Sequence, residues 1–118
     1  MSAEFLQKWK SQVKKGTLEF ILLSVLQGKE LYGYELIEES KKYASIDIAE
    51  GTLYPLMNRL RKANLVQSRW VEQESGIPRK YYTITNPGNA MLKDMRQYWE
   101  GLNSTIHKLS KDHEEITV

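Results

Sequence analysis

The chain of 118 residues is long enough for one domain with a modest core, and its formal net charge of +2 conceals an uneven distribution. Residues 41–80 hold eight Lys and Arg against four Asp and Glu, whereas the segments on either side are slightly acidic. The absence of cysteine excludes disulfides and thiolate metal sites, and the absence of a long apolar run excludes a membrane span. The polar N-terminus is unlike a signal peptide, so we expect a cytoplasmic protein.

The first two helices are predicted from the spacing of apolar residues. Residues 4–27 carry a broad apolar stripe at helical spacing, with a possible break at Gly16. After a short turn, a second helix is predicted over residues 32–42. Its inward face is predicted to consist of Gly33, Leu36, Ile37 and Ser40.

A third helix is predicted over the segment "EGTLYPLMNRLRKANL", residues 50–65. Pro55 lies in its first turns, where the earliest amides have no partner within the helix, so a start at Ala49 or Glu50 with a loosened first turn is favoured. A start that makes Pro55 the first helical residue stays open. Asn64 tolerates the left-handed conformation that ends a helix. The buried face is predicted to hold Leu53, Leu56, Met57 and Leu60.

A β-hairpin and a last helix complete the chain. Residues 65–73 and 79–85 are rich in strand-forming side chains, and turn-forming residues separate them. Asn86 is predicted to be the N-cap of the last helix and Pro87 its first residue. This helix is expected to end at about Lys111.

The last helix carries a heptad pattern that predicts a homodimer. Apolar residues recur at alternating spacings of three and four in Leu92, Met95, Trp99, Leu102, Ile106 and Leu109. The alternative is that this stripe packs on the chain's own core. We favour a dimer because the stripe follows a domain that already looks complete. We therefore divide the chain into a first domain, residues 1–85, a dimerisation helix, residues 86–112, and a frayed tail, residues 113–118.

The order of elements in residues 1–85, three helices followed by a hairpin, is that of a winged helix-turn-helix DNA-binding domain, so we expect a mainly α (α+β) fold. The third helix is the element whose exposed face suits a DNA major groove, because it offers hydrogen-bonding and cationic groups. Its loosened first turn is expected to leave amides free for a phosphate. The hairpin turn is expected to carry two cations to the backbone or the minor groove. The predicted contacts are Tyr34, Thr52, Tyr54, Asn58, Arg61, Lys62, Arg79 and Lys80.

Simpler roles stay open for several of these positions. The Tyr54 ring can pack against the second helix with its hydroxyl in solvent. Asn58 can be solvated surface, and Tyr32 can belong to the core. Arg59, near the buried edge of the third helix, can bond within the protein.

Three segments resemble one family. "LYGYELIEE", residues 31–39, is similar to its Gly-Tyr-Glu second-helix motif, and "EGTLYPLMNRLRKANLV", residues 50–66, to its recognition-helix signature. "PRKYYTITNPG", residues 78–88, is similar to its wing strand with a following Thr-x-x-Gly. On these segments the chain resembles the PadR family of bacterial transcriptional regulators, in its compact subgroup with a single C-terminal dimerisation helix. Asn64 departs from the usual Gly, and Ala49 stands where a Ser-type cap is common.

The resemblance implies a homodimeric repressor that binds an inverted-repeat operator in double-stranded DNA. It also implies that a small aromatic or cationic molecule can release the DNA. Trp99 is too bulky for easy symmetric packing, so it is either plain dimer packing or the wall of a ligand pocket between subunits. The residues predicted to line such a pocket are Phe5, Trp9, Met95, Trp99 and Leu102.

Catalysis is not expected. His107 and His113 do not share a helix face, and the sequence contains no phosphate-binding loop, zinc motif or nucleophile motif, so we predict no cofactor. The remaining alternative is a ligand-independent dimeric module that uses the winged-helix surface to hold protein. The basic excess in residues 41–80 argues against it.

Overall fold

The computed structural model describes residues 2–44 and 46–116. Four helices surround a small antiparallel sheet, which confirms the mainly α (α+β) winged helix-turn-helix prediction. None of the helices in this described part is both long and apolar enough to cross a membrane. The elements in chain order are α1 Ser2–Leu26, β1 Leu31–Tyr32, α2 Gly33–Ala44, α3 Glu50–Lys62, β2 Val66–Val71, β3 Arg79–Ile84 and α4 Asn86–Ile116.

The sheet has the strand order β1-β3-β2. Strands β2 and β3 form the predicted hairpin, which we call the wing, and Gly76 takes a positive φ of 83° in its turn. Strand β1 was not predicted. It consists of two residues, and it forms because Leu31 and Tyr32 pair with Tyr82 and Tyr81 along the free edge of β3.

The core lies between α1, α2, α3 and one face of the sheet. The predicted stripe of α3 is buried at Leu53, Met57 and Leu60, while Leu56 is half-buried at its margin. Ser40 of α2 is fully buried, and its hydroxyl donates to the Leu36 carbonyl oxygen at 2.7 Å. This bond removes the cost of placing a hydroxyl in an apolar core. The predicted inward face of α2 is therefore confirmed.

The start of α3 is as predicted, but its first turn is not. The helix begins at Glu50, with Ala49 as an N-cap that offers no side-chain acceptor. The amides of Thr52 and Leu53 both donate to the Ala49 carbonyl oxygen, at 2.9 and 3.0 Å. These two amides are therefore not free for a phosphate. The acidic Glu50 in the same turn also disfavours an anion there.

Asn64 has a φ of 61°, which confirms the left-handed residue predicted after α3. The N-cap of α4 was predicted wrongly. Thr85, not Asn86, caps this helix, because the Thr85 hydroxyl accepts from the Gly88 amide at 3.0 Å. The same hydroxyl donates to the Asn64 carbonyl oxygen at 2.7 Å. Since Thr85 and Asn86 are both favourable caps by type, the contact with Asn64 decides between them.

Both long helices extend further than predicted. Helix α1 begins at Ser2 and continues through Gly16, where a break was expected. Helix α4 continues to Ile116 rather than to about Lys111, so the predicted frayed tail is helical as far as that residue. Residues 117–118 of that tail lie outside the described residues.

The single chain is elongated. Its radius of gyration is 17.8 Å, whereas a compact domain of this length would have about 13.5 Å. The N-terminal half of α1 and the C-terminal half of α4 extend beyond the core, and their apolar side chains remain exposed. Those exposed side chains are Phe5, Leu6, Trp9, Tyr98, Trp99, Leu102, Ile106 and Leu109.

Candidate nucleic-acid interface

A cleft of about 530 Å³ separates the beginning of α3 from the wing. We call it the α3–wing cleft. Four of the eight residues predicted to contact DNA line it, and they are Tyr54, Asn58, Arg79 and Lys80. The other lining residues are Tyr32, Gly33, Trp70, Pro78 and Tyr82. The fold therefore joins the candidates from α3 and from the wing in one surface.

Tyr54 packs against the start of α2. A Cβ atom at Gly33 would overlap with the Tyr54 hydroxyl and would lie 2.8 Å from the ring carbon that carries it. Glycine at position 33 is therefore required for this close approach. The ring is fixed while the residue stays partly exposed at the cleft, so its hydroxyl can still reach a phosphate. The packing role that we left open for Tyr54 and the predicted contact are thus compatible.

The exposed face of α3 carries a hydrogen-bonded pair. The Arg61 guanidinium donates to the Asn58 side-chain oxygen at 2.9 Å. The pair presents amide and guanidinium donors side by side, and such donors match the acceptors of purine edges and phosphates. Arg59 points elsewhere: its guanidinium pairs with the Glu19 carboxylate of α1 at 3.1 Å. The alternative that Arg59 bonds within the protein is therefore confirmed.

The two wing cations lie in the strand that we predicted over residues 79–85, and not on the turn where the predicted DNA contact placed them. Arg79 and Lys80 open β3 because they pair with Val71 and Trp70, which extends the ladder toward the tip. Successive strand residues point to opposite faces, so the two side chains leave β3 in different directions, although both line the α3–wing cleft. The turn beyond them contains two carboxylates, Glu72 and Glu74, so the cationic surface ends at the strands.

Aromatic rings hold both wing cations in place. The Arg79 guanidinium lies 4.5 Å from the centroid of the Tyr32 ring. The Lys80 ammonium lies 5.7 Å from the Trp70 ring and 5.9 Å from the Tyr82 ring, on the side of the sheet that faces α3. Burial, and next to it the neighbouring Tyr54, raise the pKa of the Tyr82 hydroxyl, so it stays a protonated donor at neutral pH.

The remaining predicted contacts do not line the cleft. Tyr34 is exposed and stacks on Tyr32, with ring centroids 6.4 Å apart. Thr52 and Lys62 are exposed on α3 outside the lining. Trp70 lies inside the cleft, although we did not predict it. The alternation of side chains along β2 could have predicted this position, because Trp70 is on the same face of the strand as the buried Val66.

A second and larger cavity, of about 880 Å³, lies between α1 and α4. We call it the α1–α4 cavity. Four of the five predicted ligand residues line it, namely Trp9, Met95, Trp99 and Leu102, whereas Phe5 is not part of the lining. Two carboxylates, those of Glu19 and Asp94, also line it.

The predicted dimer seam needs one correction. Leu92 is 1 % exposed and belongs to the core of its own chain, so it has no surface to offer a partner. Met95 is half-buried against the same core. These two residues therefore pack on the core of their own chain, which is the alternative that we left open for the stripe. The exposed part of the seam consists of Trp99, Leu102, Ile106 and Leu109.

The helix order, the wing and the polar face of α3 define the chain as a winged helix-turn-helix protein. The sequence pattern of the PadR-like family of transcriptional regulators matches residues 22–94. The chain belongs to this family and is a transcriptional regulator, not an enzyme.

Solved structures of the family are similar to the chain. A PadR family regulator from Eggerthella lenta is 34% identical with a TM-score of 0.82, covering 92% of this chain and 94% of that one. A PadR-like transcription factor from Bacteroides fragilis is 37% identical with a TM-score of 0.74, covering 86% and 98%. Bacillus subtilis PadR, solved in complex with operator DNA, is 25% identical with a TM-score of 0.62, covering 66% of this chain and 45% of that one.

Proposed function

We propose that the chain is a homodimeric repressor that binds an inverted-repeat operator in double-stranded DNA through α3 and the wing. The α3–wing cleft carries this proposal, because it brings hydrogen-bonding groups of α3 and cations of the wing to one surface. Arg61 and Lys62 extend the cationic surface along the exposed face of α3. Bacillus subtilis PadR, a member of the same family, was solved in complex with operator DNA.

The dimer is proposed from the exposed seam of α4. This helix of 31 residues is about 46 Å long. Beyond Trp99, whose ring contacts Phe20 of α1, its apolar residues Leu102, Ile106 and Leu109 are exposed in one chain. A second copy would cover the apolar side chains that one chain leaves in water. A two-fold dimer would present two α3 helices, which bind half-sites about 34 Å apart if they read successive major grooves.

Release by a small molecule is proposed for the α1–α4 cavity. Aromatic walls from Trp9 and Trp99 suit a planar compound, and the Asp94 carboxylate suits a cationic one. The Glu19 carboxylate is already paired with Arg59, which lines the same cavity. The exposed seam borders the same cavity through Leu102 and Ile106, so an occupant would also contact the dimer interface.

Fluorescence anisotropy with the promoter of the chain's own gene tests the proposal. We expect saturable binding that weakens steeply as salt rises, because each phosphate contact releases counterions. Replacing Arg79 and Lys80 together by alanine should weaken binding to operator and unrelated duplexes alike, because these cations are assigned to the backbone. A salt-independent affinity, or a loss confined to the operator, would contradict the assignment.

Repression and release have their own readout. A reporter behind the same promoter should be silenced by the regulator, because a dimer that covers the operator excludes polymerase. Tetraphenylphosphonium, an aromatic cation, is a suitable first probe of the cavity, since it should lower operator affinity in wild type and less in Trp99→Ala. A regulator that activates the reporter would contradict the repressor assignment.

A further inference from the structure

Trp70 is largely exposed, and leaving so large an apolar ring in water is unfavourable. It lies in β2, opposite Lys80, on the face of the strand that also carries Val66 and Ser68. Val66 is 1 % exposed in the core, but the core ends before Trp70, which is 65 % exposed. Its ring lines the α3–wing cleft together with Tyr54 and Asn58. The apolar surface of this ring therefore faces the space between α3 and the wing.

The cation next to Trp70 is held in a fixed relation to it. The Lys80 ammonium lies over the rings of Trp70 and Tyr82, at 5.7 and 5.9 Å from their centroids. Both rings attract the cation through their negative faces. The cleft thus contains an apolar wall and a positive charge side by side, which matches the alternation of sugar and phosphate along a nucleic-acid strand.

Duplex geometry determines what enters the cleft. If α3 lies in the major groove and the wing reaches the adjacent minor groove, one sugar-phosphate backbone separates the two grooves. That strand must pass between α3 and the wing. The Lys80 ammonium, the Tyr54 hydroxyl and the Trp70 ring all line this path. A phosphate on it would lie near the first two groups, and a deoxyribose would lie against Trp70.

We propose that Trp70 is a DNA-contacting residue whose indole ring packs against the deoxyribose of the strand that passes through the α3–wing cleft. This inference rests on the proposed function. It assigns Trp70 to affinity rather than to base recognition, because a sugar is common to all sequences. It also predicts that Trp70 and Lys80 differ in their effect on the salt dependence of binding. An uncharged ring adds affinity without releasing counterions, whereas an ammonium that contacts a phosphate releases them.

The test compares Trp70→Ala, Trp70→Phe and Lys80→Ala by anisotropy on the operator and on an unrelated duplex, at several salt concentrations. Trp70→Ala should weaken binding about fivefold to tenfold on both duplexes, as expected for a truncated aromatic contact, with an unchanged salt slope. Lys80→Ala should reduce the salt slope by about 0.9 for each Lys80 that contacts a phosphate. Trp70→Phe should retain most of the affinity, because an aromatic ring remains.

Tyr43→Ala is the matched control. Tyr43 is 67 % exposed, on α2 and outside the cleft, so its removal should not change DNA affinity. The indole emission of wild type minus that of Trp70→Phe gives a second readout, and bound DNA should protect this component from acrylamide. Equal affinities of Trp70→Ala and wild type, or a loss seen only on the operator, would overturn the inference. Failure of the wild type to bind any duplex would instead overturn the proposed function.

Discussion

Replacing Gly88 by alanine tests the junction that joins the end of α3 to the start of α4. A methyl group at position 88 would overlap with the Leu65 carbonyl oxygen and would lie 2.7 Å from the Ile84 Cγ1 atom. The carbonyl cannot easily move away, because it accepts the Thr85 amide at 3.1 Å. The first turn of α4 must therefore shift.

The expected cost follows from three contributions. Overpacking against a backbone atom costs about 1–3 kcal/mol. Weakening of the Thr85 hydrogen bonds adds about 1 kcal/mol, and the better helix propensity of alanine offsets about 1 kcal/mol. The free energy of unfolding should thus fall by about 1–3 kcal/mol, which corresponds to a decrease in Tm of about 4–12 °C.

Urea unfolding followed by circular dichroism, at one fixed protein concentration, measures this change. Gly101→Ala in the same helix is the control, because its added Cβ would meet nothing within 4 Å in the described chain apart from its chain neighbours and the adjacent backbone of its own helix. Alanine there should leave stability unchanged or raise it by up to about 1 kcal/mol. If Gly88→Ala is as stable as wild type, the close approach to the Leu65 carbonyl oxygen does not require glycine at position 88.

Three further predictions concern the dimer, sequence recognition and acid stability. Leu102→Asp should give a monomer by light scattering that no longer binds operator, and a mass that stays dimeric would remove α4 from the proposed interface. Asn58→Ala should lower the ratio of the affinity for operator to the affinity for an unrelated duplex. An unchanged ratio would mean that other residues recognise the bases. The Arg69 guanidinium bonds the Glu30 carboxylate at 2.6 and 2.7 Å and lowers the pKa of that carboxyl below 4.5. The pair therefore stabilises the folded state above about pH 4.5. The difference in Tm between wild type and Glu30→Gln should vanish as pH falls through the lowered pKa, and a difference that does not change with pH would contradict this.

Local patterns were sufficient for the features that one element determines by itself. The apolar spacing of α3 predicted its buried face, and the chemistry of asparagine predicted the left-handed residue Asn64. The heptad pattern located the exposed stripe of α4 from Trp99 onward. In each case the signal lies within a few residues, so a sequence contains it.

Features that depend on two distant segments could not be predicted in this way. Strand β1 forms because β3 has a free edge. Residues 31–32 are too short a segment to show an alternating strand pattern by themselves. The burial of Leu92 depends on how α4 begins, which the Thr85 cap determines. The strand predicted over residues 79–85 already included Arg79 and Lys80, but how far the ladder extends toward the turn is determined by their pairing with β2.

The junction at Thr85 also connects the candidate interface to the proposed dimer. The Thr85 hydroxyl bonds the Asn64 carbonyl directly after α3, and its amide bonds the Leu65 carbonyl directly before β2. Gly88 lets α4 approach the same carbonyl within its first turn. The direction of α4 is therefore fixed relative to α3 and the wing. In a dimer held together by α4, the same bonds would set the separation and tilt of the two α3 helices, so a change at this junction should alter operator spacing as well as stability.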